Sequence, residues 1–168
     1  GVVENKKEAV KWYRKAAGQG FALAQFGLGN MYSKGEGVTE DDKAAVKWYT
    51  LAAFQGNAQA QSNLGLMYDN GEGVLEDNKE AAKWFRKAAE QGNADGQNNL
   101  GFMYANGQGV EQNYVTAYAW FNIATTNGNQ NAKIGLPQVA NKMTPDQIAK
   151  AEELAKEMIK KNPKLLSK

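Results

Sequence analysis

Four tryptophans divide this chain into equal lengths. Trp12, Trp48, Trp84 and Trp120 are separated by 36 residues each time (48−12, 84−48, 120−84). Gly20, Gly56, Gly92 and Gly128 keep the same step, as do Leu28, Leu64, Leu100 and Leu136, and Tyr32, Tyr68 and Tyr104. The pair Gly35/Gly37 returns as Gly71/Gly73 and Gly107/Gly109, followed by Val38, Val74 or Val110. A fixed period of this size marks a chain of stacked supersecondary units, none of which can bury its apolar face alone. The expected fold is an all-α solenoid of 36-residue helix-turn-helix repeats.

Each unit reads as two helices. Helix A is predicted over Ala22–Ser33, Ala58–Asp69 and Ala94–Ala105, where residues such as Leu64, Met67 and Tyr68 have i, i+3, i+4 spacing. It runs into Gly-x-Gly-Val, a turn suited to positive φ. Helix B is predicted to start after the cap residues Asn5, Asp41, Asp77 and Asn113, with Glu8 and Glu80 placed for capping boxes. Its stripe is Ala45, Trp48, Tyr49 and Ala52 with their equivalents, and strict periodicity assigns the Trp ladder to core packing. Gly20, Gly56, Gly92 and Gly128 stand where left-handed residues end a helix. Gly29, Gly65 and Gly101 fall inside helix A, where glycine costs about 1 kcal/mol against alanine. The expectation is a neighbouring helix crossing too closely for a Cβ, and pairs such as Ala52/Ala53 fit the same packing.

The two ends differ. Gly1-Val2 occupy the register of Gly37-Val38, so the sequence starts at helix B, and the apolar face of Val10, Tyr13 and Ala17 is expected to lack part of its cover. Self-association through that open end is one partner expectation. At the other end Pro137 replaces the helix A glycine, and Thr144-Pro145-Asp146-Gln147 reads as a new helix start. The next helix has an apolar stripe (Ile148, Ala151, Ala155, Met158, Ile159) and a charged face, supported by Glu152/Lys156 and Glu157/Lys161 pairs. That is the pattern of a capping helix. The expected organisation is repeats over 1–128, a last helix A and capping helix over 129–161, and a tail over 162–168 in which Asn162-Pro163 ends the helix and Lys164–Lys168 is frayed.

Composition narrows function. The chain has no Cys and no His, which excludes Ser-His-Asp triads, Cys nucleophiles and Cys/His zinc sites. Net charge is +2, which provides no electrostatic reason for nucleic acid or an anionic membrane as partner. No apolar run approaches the roughly 20 residues of a membrane span. No signal-peptide hydrophobic region is present, which leaves periplasm, secretion and cytoplasm open. Asp69-Asn70-Gly71-Glu72 faintly resembles a calcium loop, but its equivalents lack the acids. Gly-x-Gly-Val joins two helices rather than a strand and a helix, so it is no dinucleotide fingerprint. Glu40-Asp41-Asp42 and Glu76-Asp77 sit at helix starts, where cap and dipole effects account for them. Neither a cofactor nor a metal is expected.

The pattern A-x-A-Q-x-x-L-G-x-M-Y-x-x-G-x-G-V, then K-x-A-x-K-W-[YF]-x-x-A-A-x-x-G, is best seen from Ala58 to Gly92. It resembles the Sel1-like repeat family, relatives of tetratricopeptide repeats, over residues 1 to about 128. Tyr118–Lys156 also looks like the C-terminal end common in bacterial members. The resemblance implies a right-handed α/α superhelix with helix A on the concave face, and a role as adaptor or scaffold. By register the concave residues include Phe26, Asn30, Gln59, Ser62, Asn63, Leu66, Asp69, Asn70, Asn98, Asn99, Phe102 and Asn106. Leu23, Gly27, Ser33, Lys34, Asp95 and Ala105 share that register. Carboxamides donate and accept, so they suit a peptide backbone, and single apolar residues supply anchors. The tetratricopeptide likeness points to Asn63 and Asn99 in particular. The expected function is non-enzymatic binding of a peptide or partner protein on this face. A cell-wall or lactam hydrolase would need carboxylate or Ser/Lys chemistry, and no Ser-x-x-Lys is present. A self-assembling structural solenoid is the third class.

Overall fold

The computed structural model describes residues 2–166. Among them are nine α-helices, one 3-10 turn and no strand. Helices α1 (Val2–Gly18), α3 (Asp42–Phe54), α5 (Asn78–Glu90) and α7 (Tyr114–Thr126) are the B helices. Helices α2 (Ala22–Lys34), α4 (Ala58–Asn70), α6 (Ala94–Asn106) and α8 (Gln130–Ala140) are the A helices, and α9 (Pro145–Lys161) follows them. The fold is an all-α solenoid of 36-residue helix pairs. Two compact units divide it, the first ending at Asp77 and the second beginning at Asn78. In the first, α1 to α4 each pack on the next. In the second, α5 to α8 do so and α9 lies on α7.

The turn after helix A uses its two glycines differently. The first ends the helix: Gly35, at φ +63°, donates its N–H to the Met31 carbonyl, and Gly71 and Gly107 repeat this on Met67 and Met103. The second is a close approach. A Cβ on Gly37 would lie 2.5 Å from the Lys6 carbonyl oxygen, and one on Gly73 would lie 2.5 Å from that of Asp42. Gly109 stands the same way against Asn78. Each of these partners belongs to the helix B one period earlier, so the turn is pressed onto backbone. The cap residue then closes the loop, with the N–H of Asp41, Asp77 and Asn113 donated to the carbonyl of Tyr32, Tyr68 and Tyr104.

The second junction, from helix B to helix A, is held by amides. Asn57, Asn93 and Asn129 cap α4, α6 and α8, each accepting from a backbone N–H three residues on. Phe21 occupies that position before α2 and makes no side-chain cap bond. One turn into α2, α4 and α6 a buried glutamine donates back to a carbonyl near the end of the preceding helix B, which also accepts from the glycine N–H three residues on: Gln25 to Ala17, Gln61 to Ala53 and Gln97 to Ala89. The close crossing expected at the helix A glycines is made by aromatic rings of helix B. A Cβ on Gly29 would be 2.6 Å from the Tyr49 ring and one on Gly101 would be 3.1 Å from the Phe121 ring.

Several expectations need correction. Helix α1 runs unbroken from Val2, so Asn5 is not its cap and Glu8 is not part of a capping box. Glu8 accepts from Lys11 instead. Each of the three expected A helices ends one residue later than predicted. The Trp ladder is not uniformly core: Trp84 and Trp120 are buried, Trp48 is half-buried and Trp12 is 63% exposed. Trp48 packs on the cluster of Val10, Ala17, Ala24 and Leu28 from the two helices before it. Val10 and Ala17 are themselves buried, and the exposed large apolar residues here include Trp12 and Tyr13 of α1 with Phe21 and Leu23 beside them.

At the other end the Thr144/Gln147 capping box forms, and Glu157 pairs with Lys161. Lys156 pairs with Glu153, while Glu152 accepts from the Tyr118 hydroxyl. The tail is docked rather than frayed. Pro163–Leu165 form a 3-10 turn, Leu165 is 3% exposed, and Asn162 Nδ2 donates to the Glu90 carbonyl at 2.8 Å. Positions 167 and 168 of the expected tail, like Gly1, fall outside the described residues.

Gly73→Ala and Gly56→Ala separate conformational strain from close approach. Both glycines have positive φ, but nothing lies within 4 Å of a Cβ on Gly56. Gly56→Ala should cost about 1–2 kcal/mol. Gly73→Ala should cost at least ~1 kcal/mol more, because backbone must move. Guanidinium unfolding of the two variants, followed by far-UV circular dichroism, measures the difference.

Candidate functional site

Helix A side chains that face away from the stacked core line two separate cavities, one in each unit. In the first unit, Asn30, Ser33 and Lys34 of α2 and Asn63, Leu66 and Met67 of α4 surround about 280 Å³, with Tyr49 of α3 and Glu72 from the following turn. The floor is a hydrogen-bonded set. The Tyr49 hydroxyl donates to Asn30 Oδ1 at 2.7 Å, and Asn63 Nδ2 donates to the same oxygen at 3.3 Å. Burial raises the Tyr49 hydroxyl pKa, against the opposing effect of hydrogen bonds from Asn63 and Ser33. The phenol therefore stays a neutral donor at ordinary pH. The Phe26 ring lies beside it, centroids 6.1 Å apart. The Asn30 amide N–H groups and the Asn63 Oδ1 have no partner among the described residues, so this floor offers a donor and an acceptor side by side.

In the second unit, Asn98 and Phe102 of α6, Phe121 of α7, and Asn131, Ile134, Gly135 and Gln138 of α8 surround about 270 Å³. No charged residue lines it. Phe102 and Ile134 are exposed, and Asn98 Nδ2 donates to Asn99 Oδ1 at 3.1 Å. Gly101 and Gly135 let the Phe121 ring reach this floor, since a Cβ on either would stand 3.1 Å from it.

Thus Asn30, Asn63 and Leu66 are brought together in one cavity, and Asn98 and Phe102 in the other. Phe26, Gln59, Asp69, Asn70, Asn99 and Asn106 line neither. Asn70 donates to Glu72, and Asn106 donates to the Phe102 carbonyl of its own helix. Ser62 does not belong to the exposed face: it is 3% exposed, and its hydroxyl has no partner among the described residues. Ala105 is buried too, and Leu23 instead joins Trp12, Tyr13, Ala16 and Ala24 around an apolar hollow. Register on helix A cannot reach Tyr49, Phe121 or Glu72, and it was not carried into α8, where Asn131, Ile134 and Gln138 repeat the positions of Asp95, Asn98 and Phe102. Tyr49 and Phe121 are helix B residues, and glycines opposite them were the available signal.

Four stretches of the chain, 1–21, 22–57, 58–93 and 94–129, match the Sel1 repeat model. The chain belongs to the Sel1 repeat family. Proteins built of Sel1 repeats generally mediate protein–protein interaction and are typically non-enzymatic. Among solved structures it is similar to c5321, a protective antigen of uropathogenic Escherichia coli displaying this repeat fold. Identity is 35% and the TM-score 0.58, over 93% of this chain and 42% of that one. A Sel1 repeat protein from Oxalobacter formigenes is 33% identical, with TM-score 0.76, over 96% and 66%. Helicobacter pylori cysteine rich protein B is 24% identical with TM-score 0.62, over 79% and 95%, a likeness of fold. The chain therefore spans less than two thirds of the first two relatives. No curated protein matches it. Among the described residues of this Sel1 repeat chain, no helix is long and apolar enough to cross a membrane, and no acidic cluster could hold a metal.

Asp69 sits at the edge of this face, and its carboxyl pKa is raised by burial, with the charge of Glu76 adding to it. An acid whose folded pKa exceeds its unfolded one binds more protons when folded, so its ionisation weakens folding as pH rises through that interval. Asp69→Asn should therefore be no less stable than the parent at pH 7. Its advantage should shrink as pH falls below the ordinary carboxylate range, which thermal melts across pH would measure.

Proposed function

We propose that this chain is a non-catalytic adaptor that binds an extended segment of a partner protein on its helix A face. The observation that supports this best is the first-unit cavity. There Asn30 and Asn63 leave a donor and an acceptor unpaired beside the exposed Leu66. A peptide group needs that pairing, and an adjacent side chain can be desolvated against Leu66. Lys34 and Glu72 flank the same cavity and suit a segment with charged side chains of both signs. A volume of about 280 Å³ lies just below the roughly 300–1,000 Å³ of small-molecule sites, which favours a side chain carried on a longer chain over a free ligand. The general role of Sel1 repeats in protein–protein interaction supports the same reading.

The test is a paired retention experiment from lysate of the source organism, with the parent chain and an Asn63→Lys/Leu66→Asp variant as baits. Both positions are on the surface of α4, so helix content should be unchanged by circular dichroism. A partner held by the parent should be bound at least ~10-fold more weakly by the variant in a subsequent titration. Equal retention by both baits would place binding elsewhere.

A further inference from the structure

The docked tail shows what the junction between a helix B and the next helix A can hold. In the second unit, the Leu165 carbonyl accepts from Gln97 Nε2 at 2.8 Å and from Asn127 Nδ2 at 2.6 Å. Asn127 also donates to Gln97 Oε1 at 2.8 Å. Both amide N–H groups of Gln97 are thus used, one on the Ala89 carbonyl and one on the tail. Leu165 and, one helical turn before Asn127, Ile123 are both fully covered.

One period pair earlier the same junction exists without a tail. Gln25 stands for Gln97 and Gln55 for Asn127, and Gln55 Nε2 donates to Gln25 Oε1 at 2.7 Å. Gln25 is 4% exposed and its amide makes a single donation, to the Ala17 carbonyl. Its second N–H has no partner among the described residues, and this is the N–H that in Gln97 meets the Leu165 carbonyl. The apolar residues around it are uncovered. Leu51, the counterpart of Ile123, is 41% exposed and Phe21 is 61% exposed. Gln55 Nε2 also donates to the Gly20 carbonyl, which sets the end of α3 beside Phe21. Leu51 shares the Gln55 face of that helix one turn away. Phe21 also replaces the cap asparagine of the other repeats, a substitution that costs about 1 kcal/mol of helix capping and leaves a ring in solvent.

We propose that this junction of α1, α2 and α3 is a second interaction site. It takes an extended, leucine-bearing segment of a partner polypeptide. The main-chain carbonyl of that segment accepts from Gln25 Nε2, and its leucine rests on Phe21 and Leu51, as the chain's own tail rests on the equivalent junction. The site stands independently of the helix A face.

The probe is the hexapeptide Lys-Asn-Pro-Lys-Leu-Leu, the sequence of residues 161–166, acetylated and amidated. It is titrated into the whole 15N-labelled chain. The expected result is saturable shifts of the Gln25 and Gln55 side-chain amides and of the Phe21 and Leu51 backbone. Affinity should fall at least ~10-fold in Leu51→Glu and in Phe21→Glu, with melting temperature unchanged in the more exposed Phe21→Glu. The peptide with glutamate for its first leucine should bind no better than those variants. Shifts confined to Gln97 and Asn127, no saturable shift, or undiminished affinity in both variants would each overturn the proposal.

Discussion

The contact on which the rest depends is backbone on backbone. The second glycine of each Gly-x-Gly turn lies against the start of the helix B one period earlier, at Lys6, Asp42 and Asn78, with no room for a Cβ. That contact sets how far one repeat is advanced on the last, and side chains then fill the spacing it leaves. It accounts for the ring of Tyr49 meeting Gly29 and for alanines at Ala45, Ala52 and Ala53, all almost fully buried. A stack fixed by backbone contacts tolerates variation elsewhere, and the outward positions of helix A are where this chain varies.

The period, the helix pairs, the glycine turns and the capping helix were legible because each leaves a residue of fixed type at a fixed step. Burial along a repeated stripe was less so. The four tryptophans are equivalent in sequence, yet their exposure depends on what stacks next to each, and only Trp84 and Trp120 are covered. Ser62 illustrates a second limit. Register places it with Phe26 and Asn98, but a short side chain stays close to its helix where a longer one reaches solvent. The tail was misread because its composition is polar. Leu165 is held by Gln97 and Asn127, partners 68 and 38 residues away, and no local pattern announces such bonds.

The same distinction applies to the site. The asparagines of helix A were visible as a class, but which of them converge depended on helix B. Tyr49 organises Asn30 and Asn63 by donating to the first and lying close to the second. Asn99 and Asn106 have no such organiser: Asn99 Oδ1 accepts from Asn98, and Asn106 donates to the Phe102 carbonyl of its own helix. The two cavities are alike in size and differ in charge, since Lys34 and Glu72 flank the first and no ionisable group lines the second.

Hydrogen exchange of the chain with and without a captured partner tests the central claim most directly. The account predicts slowed exchange concentrated in the A helices, Ala22–Lys34 and Ala58–Asn70, with α3 and α5 little changed. Protection confined to the B helices, with Asn30 and Asn63 exchanging as in the free chain, would contradict it.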